Sequence, residues 1–396
     1  MQYQYSDRIS GVRPSAIREI LKYAASHPEV IALSTGSPAN EAIPVDEISA
    51  ISARIFRDMP LAGLQYSMTE GYPALRESTR QRLKKEFGIG REFDDLIITT
   101  GGQQGIELAC KAFCNEGDAV ICENPSFIGA LNAFRSNGAR TIGVPLRADG
   151  IDLAILEETL RTEKKAKLLY LIPTFQNPSG ITSTAENRHA VYALAKKYGV
   201  VILEDNPYGE LRFAGADVPT YKSFDTDGIV IYCSSFSKIL SSGMRIGFVN
   251  APAEIVAKMV VAKQVEDVHT NLFAQMLCHR YMAEYDMDAH VAMIRELYRN
   301  KANRMLTALD AEMPQSVAYT RPEGGLFLWC TLPDGRDAAP FVQKFLENKV
   351  AVVPGSAFMC VENAPSDSFR LNYSMPSDED IDRGVAILGK VLRDTL

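Results

Sequence analysis

The chain has 396 residues, 46% hydrophobic and 23% charged, with a formal net charge of -7; it is long enough for two or three domains around a sizeable core. Mild acidity without a basic cluster argues against nucleic-acid binding, and no apolar run approaches the roughly 18 residues of a membrane span. Seven scattered cysteines with no Cys-x-x-Cys pair, five histidines without metal-ligand spacing and a polar start point to a cytoplasmic protein with reduced thiols and no zinc site.

Val30–Leu33 is the first strand-like segment. From about residue 95 short apolar runs alternate with helical stretches. Leu96–Thr99 reads as a strand and Gln103–Phe113 as a helix. Ala119–Cys122 and Phe127–Ser136 repeat the pair, as do Leu168–Leu171 and Ala185–Tyr198. Val200–Leu203 and Ile229–Cys233 are further strands. Continuous β-rich runs between helices predict a parallel sheet covered on both faces, which binds ligands at the carboxyl ends of its strands. After about residue 285 the texture changes. A long helix, Met287–Leu309, leads to strands at Leu326–Trp329, Val350–Val353 and Phe369–Asn372, as in a smaller α+β unit. A closing helix starts at Ser377, with Asp380 three residues on and Ile381, Val385, Leu388 and Leu392 on one face.

Polar motifs follow the strands. Ser234–Arg245 places Lys238 among hydroxyls and Arg245. An amine there can form an imine with an aldehyde, while hydroxyls and a guanidinium can hold a phosphate. Pyridoxal phosphate carries both groups. Alone, the segment reads more readily as a solvated lysine loop. Thr99–Gly105 joins a strand to a helix through Gly101 and Gly102, which suits phosphate at a helix N-terminus; alone it is also an ordinary turn. Pro173–Gly180 carries Asn177 before a proline, which holds it extended. Glu204–Gly209 puts Asp205 at the end of a buried strand, where a carboxylate needs a cation or acts as a turn residue. Leu64–Glu77 puts Tyr66 before a glycine turn and a helix.

In this order the motifs resemble the fold-type I, class I/II pyridoxal-phosphate-dependent aminotransferases over essentially the whole chain. The similarity is greatest to the 2-aminoadipate and kynurenine/aromatic branch. The resemblance implies an α/β fold with a mostly parallel sheet sandwiched by helices in a large domain, and a smaller α+β domain. The implied division is an N-terminal arm at 1–44, contributing to the small domain and a dimer contact, a cofactor-binding domain at 45–285 and a C-terminal domain at 286–396. It implies pyridoxal 5'-phosphate as cofactor, and it matches Lys238 to the Schiff-base lysine that also moves the proton at Cα. Asp205 matches the partner of the ring nitrogen, and Asn177 and Tyr208 the pair on the phenolic oxygen. Gly102, Gln103, Ser235, Ser237 and Arg245 match the phosphate cup. Phe127 takes the place of the aromatic that stacks on the ring; many relatives carry tyrosine there, so a hydroxyl is missing. Tyr66 matches a tyrosine reaching the neighbouring subunit's phosphate, which implies a homodimer.

For the substrate, the resemblance matches Arg370 to the clamp on the α-carboxylate, with Asn177 and Gly36 beside it. Arg18 matches a mobile arginine that meets a distal carboxylate or swings away from an aromatic side chain; it also reads as an exposed helix arginine. The implied activity is a ping-pong exchange of an amino group between a dicarboxylic, aromatic or aliphatic L-amino acid and a 2-oxoacid, 2-oxoglutarate being the expected acceptor. A β-lyase or eliminase on the same fold is the alternative. An effector-binding module of a transcriptional regulator is disfavoured, because only about 30 residues precede the first strand-like segment.

Overall fold

A computed structural model describes residues 3–10, 20, 22–23 and 26–396. An eight-stranded sheet organises the middle of the chain. Its strands are β2 (Asp94–Thr99), β3 (Ala119–Asn124), β4 (Arg140–Arg147), β5 (Gly150–Ile151), β6 (Ala166–Leu171), β7 (Val201–Asp205), β8 (Val230–Ser235) and β9 (Gly247–Pro252), in the order β2-β9-β8-β7-β6-β3-β4-β5. From β8 through β7, β6 and β3 to β4 every pairing is parallel; β9 runs antiparallel to β8 and β2, and β5 to β4.

The apolar runs are continuous because each central strand is covered on both faces. Alternate residues divide between two clusters. Val120, Cys122, Leu168, Tyr170, Leu203, Ile231 and Val249 face the helices Gly102–Phe113, Ile128–Ser136 and Ala253–Glu266. Ile121, Leu169, Leu171, Ile202 and Val230 face the helices Leu153–Thr162 and Ala185–Tyr198. Each such side chain contributes about 1.5–3 kcal/mol by leaving water, and the period-two division fixes the register. A one-residue slip would exchange the two faces.

The third and largest apolar cluster joins this sheet to the C-terminal elements. There β10 (Ala318–Tyr319), β11 (Phe327–Thr331), β13 (Val353–Pro354) and β14 (Ser368–Asn372) form an antiparallel sheet, backed by the helices Met287–Glu312 and Asp378–Thr395. Ser377 caps the last helix by accepting from Asp380 N at 3.1 Å, which contributes about 1 kcal/mol. The run Val350–Val353, expected as one strand, is two. β12 (Val350–Ala351) pairs in parallel with β1 (Ile31–Ala32), whereas β13 pairs antiparallel with β14. One extended segment thereby bonds the N-terminal chain on one side and the small sheet on the other.

β4 and β9 were not expected. Gly143 and Pro145 interrupt the apolar run of β4, and Gly247, Asn250 and Pro252 that of β9, so propensity hides them. Pairing with already formed strands overrides it. Among the described residues no helix is long and apolar enough to cross a membrane, and no group of three His, Cys, Asp or Glu side chains is placed to hold a metal. All seven cysteines are free thiols.

Candidate active site

The carboxyl ends of β7 and β8, the start of the helix Gly102–Phe113 and the small sheet enclose one cleft. Gly36, Gly102, Gln103, Phe127, Asn177, Asp205, Tyr208, Ser235, Ser237, Lys238, Arg245 and Arg370 all line it. Twelve of the fourteen site residues expected from sequence are therefore brought together. Of the other two, Tyr66 is 85% exposed on this chain, its ring edge-on to His269. Arg18 lies outside the described residues.

At one end the cleft suits a phosphate. Gly101 precedes the helix Gly102–Phe113 with φ 77, and among the described residues no side chain caps the helix, which leaves its first-turn N–H groups for a ligand. A Cβ on Gly101 would stand 2.1 Å from Arg245 Nη2, and one on Gly247 would stand 2.4 Å from the Gly101 carbonyl carbon. Only glycine lets the arginine and the loop approach so closely. Ser235 Oγ donates to Ser237 Oγ at 2.7 Å and accepts from Ser237 N at 3.0 Å. Arg245 Nη1 reaches Ser237 Oγ at 3.4 Å and forms no ion pair with a carboxylate among the described residues. Two buttresses escaped the sequence reading. Gln103 Nε2 donates to Gly129 O at 2.8 Å. The buried Lys263 bridges Gln104 (2.7 Å) and Asp267 (2.8 Å), and Asp267 accepts from Thr100 Oγ1 at 2.7 Å.

The middle of the cleft holds Asp205, Tyr208, Asn177 and Lys238. Asp205 ends β7 with 5% exposure. It has no cationic partner among the described residues, and burial pushes its carboxyl up to about 6, against a hydrogen bond from Tyr170 that lowers it. Tyr208 is buried beside Asn177, and burial raises its hydroxyl above the usual phenol range. The half-buried Lys238 donates to Gly36 O at 2.7 Å, and burial, then Arg370 and Arg245, push its amine down to about 8. A substantial fraction of such an amine is neutral, hence nucleophilic, near neutral pH.

At the far end Arg370 projects from β14 with 1% exposure. Nη1 donates to Asn177 Oδ1 and Nη2 to Ser34 O, both at 2.8 Å, while Nε has no partner among the described residues. Its guanidinium lies over the rings of Phe327 (4.3 Å) and Phe358 (5.0 Å). Burial lowers its pKa to about 10. A buried cation with neutral partners is costly unless an anion completes it. In the sequence Phe327 lies in the strand run Leu326–Trp329 and Gln176 in the turn Pro173–Gly180, and Phe358 has no motif of its own. Gln176 Nε2 ties the Asn177 loop to Pro125 O at 2.8 Å. β11 is a continuous apolar run, so nothing local marked Phe327 or the others as facing the cleft.

The cleft thus offers a buried carboxylate, an amine and a guanidinium that have no counter-ion among the described residues, beside an uncapped helix N-terminus with an arginine. The model of the family described as "Aminotransferase class I and II" matches residues 28–388. The chain belongs to that family. It is 39% identical to a 2-aminoadipate transaminase of Thermus thermophilus, over 97% of this chain and 95% of that one. It is 36% identical to aromatic-amino-acid aminotransferase 1 of Thermococcus litoralis, over 99% and 94%. The solved structure of Pyrococcus horikoshii kynurenine aminotransferase, in complex with PMP and with KYN and KYA as substrate and product, superposes with a TM-score of 0.95 at 37% identity, covering 99% of this chain and 97% of that one. The protein is a fold-type I aminotransferase, and pyridoxal 5'-phosphate is its cofactor. The donor set fits that group: an anion cradle at one end, an amine for an aldehyde, and an unpaired buried carboxylate for a protonated ring nitrogen.

Proposed function

We propose that this aminotransferase exchanges an amino group between an L-amino acid and 2-oxoglutarate in two half-reactions of a ping-pong cycle. Dicarboxylic, aromatic and aliphatic donors are the candidate substrates. The observation that carries the reading is Arg370, buried and without a counter-anion among the described residues, 2.8 Å from Asn177 in the same cleft as Lys238 and Asp205.

Arg370 binds the α-carboxylate, which every donor and acceptor shares, and Asn177 orients the guanidinium. The bound cofactor supplies an aldehyde that condenses with amines and a ring that accepts the electrons released at Cα. Lys238 takes the proton from Cα and returns it on the other side of the transfer, a task suited to an amine lowered to about 8. Asp205 holds a proton on the ring nitrogen, and Tyr208 with Asn177 presents hydrogen-bonding groups to the phenolic oxygen. Gly102, Gln103, Ser235, Ser237 and Arg245 bind the phosphate. Phe127 and Ile172 wall the ring, and Gly36 flanks the carboxylate.

Tyr66 is assigned to the partner's phosphate in a homodimer, and its exposure supports that placement. Arg18 is assigned to a distal carboxylate. The division into 1–44, 45–285 and 286–396 belongs to the same reading; the pairing of β1 with β12 supports grouping the arm with the C-terminal unit.

The test is a panel of amino acids mixed with the cofactor-loaded enzyme, each half-reaction followed by cofactor absorbance. Glutamate and at least one aromatic or 2-aminoadipate donor should turn the cofactor over. A panel in which no α-amino acid does so removes the reading.

A further inference from the structure

Tyr170 is the penultimate residue of β6, in a run that reads as plain core. In the register of β6 with β7 it stands opposite Leu203. Leu203 and Asp205 are two apart on β7, so Tyr170 and Asp205 project to the same face of the sheet, toward the helix Gly102–Phe113. That register brings the Tyr170 hydroxyl to Asp205 Oδ2, to which it donates at 2.7 Å. Among the described residues Oδ1 accepts no hydrogen bond. One carboxylate oxygen is therefore fixed from behind, while the other is left for the cleft.

The tyrosine is 0% exposed, and its ring is held edge-on to Phe134 at 5.4 Å. Its hydroxyl has no other partner among the described residues. A buried phenol with one hydrogen bond, made to the one unpaired buried carboxylate of the cleft, is more than core filling; phenylalanine would fill the space equally. The other titratable groups around Asp205 do not stabilise its charge. The Glu123 carboxyl on β3, the Cys233 thiol on β8 and the Tyr208 hydroxyl each feel its charge as an upward push on their own ionisation. Among the described residues only Tyr170 donates to it.

We propose that Tyr170 is a positioning residue for the reaction, holding Asp205 ionised and oriented so that the ring nitrogen, rather than the carboxyl, keeps the shared proton. This rests on the reading that Asp205 faces that nitrogen. Burial and the Asp205 charge keep the phenol itself well above its usual pKa, so it remains a donor throughout the working range. Removing the donor makes the carboxylate more basic, because a hydrogen bond to the charged form favours that form. The shared proton then moves toward Asp205, and the ring loses electron-withdrawing strength.

The test uses the enzyme reconstituted with cofactor labelled with nitrogen-15 in the ring. Its nitrogen chemical shift separates a protonated from a neutral ring independently of turnover. Wild type should give the protonated signal, Asp205→Asn the neutral one, and Tyr170→Phe a value between them. Tyr170→Phe should also slow the half-reaction by about 10- to 100-fold, the loss of one hydrogen bond to a charged group, with little change in the concentration of amino acid at half-saturation. A Tyr170→Phe signal and rate equal to wild type overturn the proposal while leaving the Asp205 reading intact. An unchanged signal in Asp205→Asn overturns that reading and the proposal with it. Tyr170→Leu removes ring and hydroxyl together. If it shifts the signal and Tyr170→Phe does not, packing is responsible and the proposal falls; equal shifts in both assign the effect to the hydroxyl.

Discussion

Replacement of Arg370 by lysine separates charge from geometry at the carboxylate site. The guanidinium is 1% exposed, bonded at 2.8 Å to two neutral acceptors, Asn177 Oδ1 and Ser34 O, and held over Phe327 and Phe358. Lysine keeps the charge but not the planar fork or the stacking. It therefore loses at least one charge-assisted hydrogen bond, about 1.5–3 kcal/mol, or roughly a 10- to 150-fold fall in kcat/KM. Arg370→Met loses both bonds and should fall by about 10³-fold or more on the same arithmetic. Single-turnover mixing of the cofactor-loaded enzyme measures this for glutamate and for its analogue lacking the α-carboxylate. Wild type should prefer glutamate strongly, and Arg370→Met should erase most of the preference by slowing glutamate alone. The reasoning is refuted if both compounds slow equally, or if Arg370→Met stays within threefold of wild type. A second readout goes the other way. Removing an uncompensated buried cation relieves its desolvation cost, so Arg370→Met apoprotein should melt a few degrees above wild type.

Lys238→Ala should abolish turnover while still retaining cofactor through the phosphate cradle, seen as bound cofactor without the absorbance of the wild-type adduct. Because the free Lys238 amine is lowered to about 8 and only its neutral form attacks an aldehyde, reconstitution of apoprotein should accelerate as pH rises toward 8 and level off above it; a rate independent of pH between 6 and 9 contradicts this. The Asp205 carboxyl is raised from 3.8 to about 6, so in the apoprotein its contribution to stability is greatest below pH 4 and is lost as pH rises through 6. Asp205→Asn should accordingly raise the apoprotein melting temperature at pH 7 and lower the half-reaction rate by about 10² or more, checked by calorimetry and stopped flow. Mixing inactive Lys238→Ala and Tyr66→Phe subunits should restore part of the activity if each site draws on both chains, since one site of the heterodimer then carries neither lesion. Activity that stays absent in demonstrated heterodimers removes Tyr66 from the site.

Sequence alone determined what depends on short-range pattern. Strands such as Leu168–Leu171 and Val200–Leu203 are legible because burial on both faces demands continuous β-branched and apolar residues. The helix Ala185–Tyr198 is legible because Thr184 supplies an N-cap, helix formers fill its length and Gly199 stops it. Lys238, Asp205, Asn177 and Gly102 could be singled out because each lies in a polar segment at or just after the carboxyl end of an apolar strand, where such sheets place their ligands. What only tertiary structure decided is pairing across distance. The split of Val350–Val353 between two sheets depends on which edges the chain meets on either side. The antiparallel insertion of β9 depends on partners already in place. The counter-ion-free burial of Arg370 arises from Ser34, Asn177, Phe327 and Phe358, which are far apart along the chain. Tyr170 shows the limit most directly: in the sequence it is one more apolar-run residue, and only the register of β6 against β7 turns its hydroxyl onto Asp205. Hydrophobic periodicity records which face a residue takes, but not which polar atom waits there.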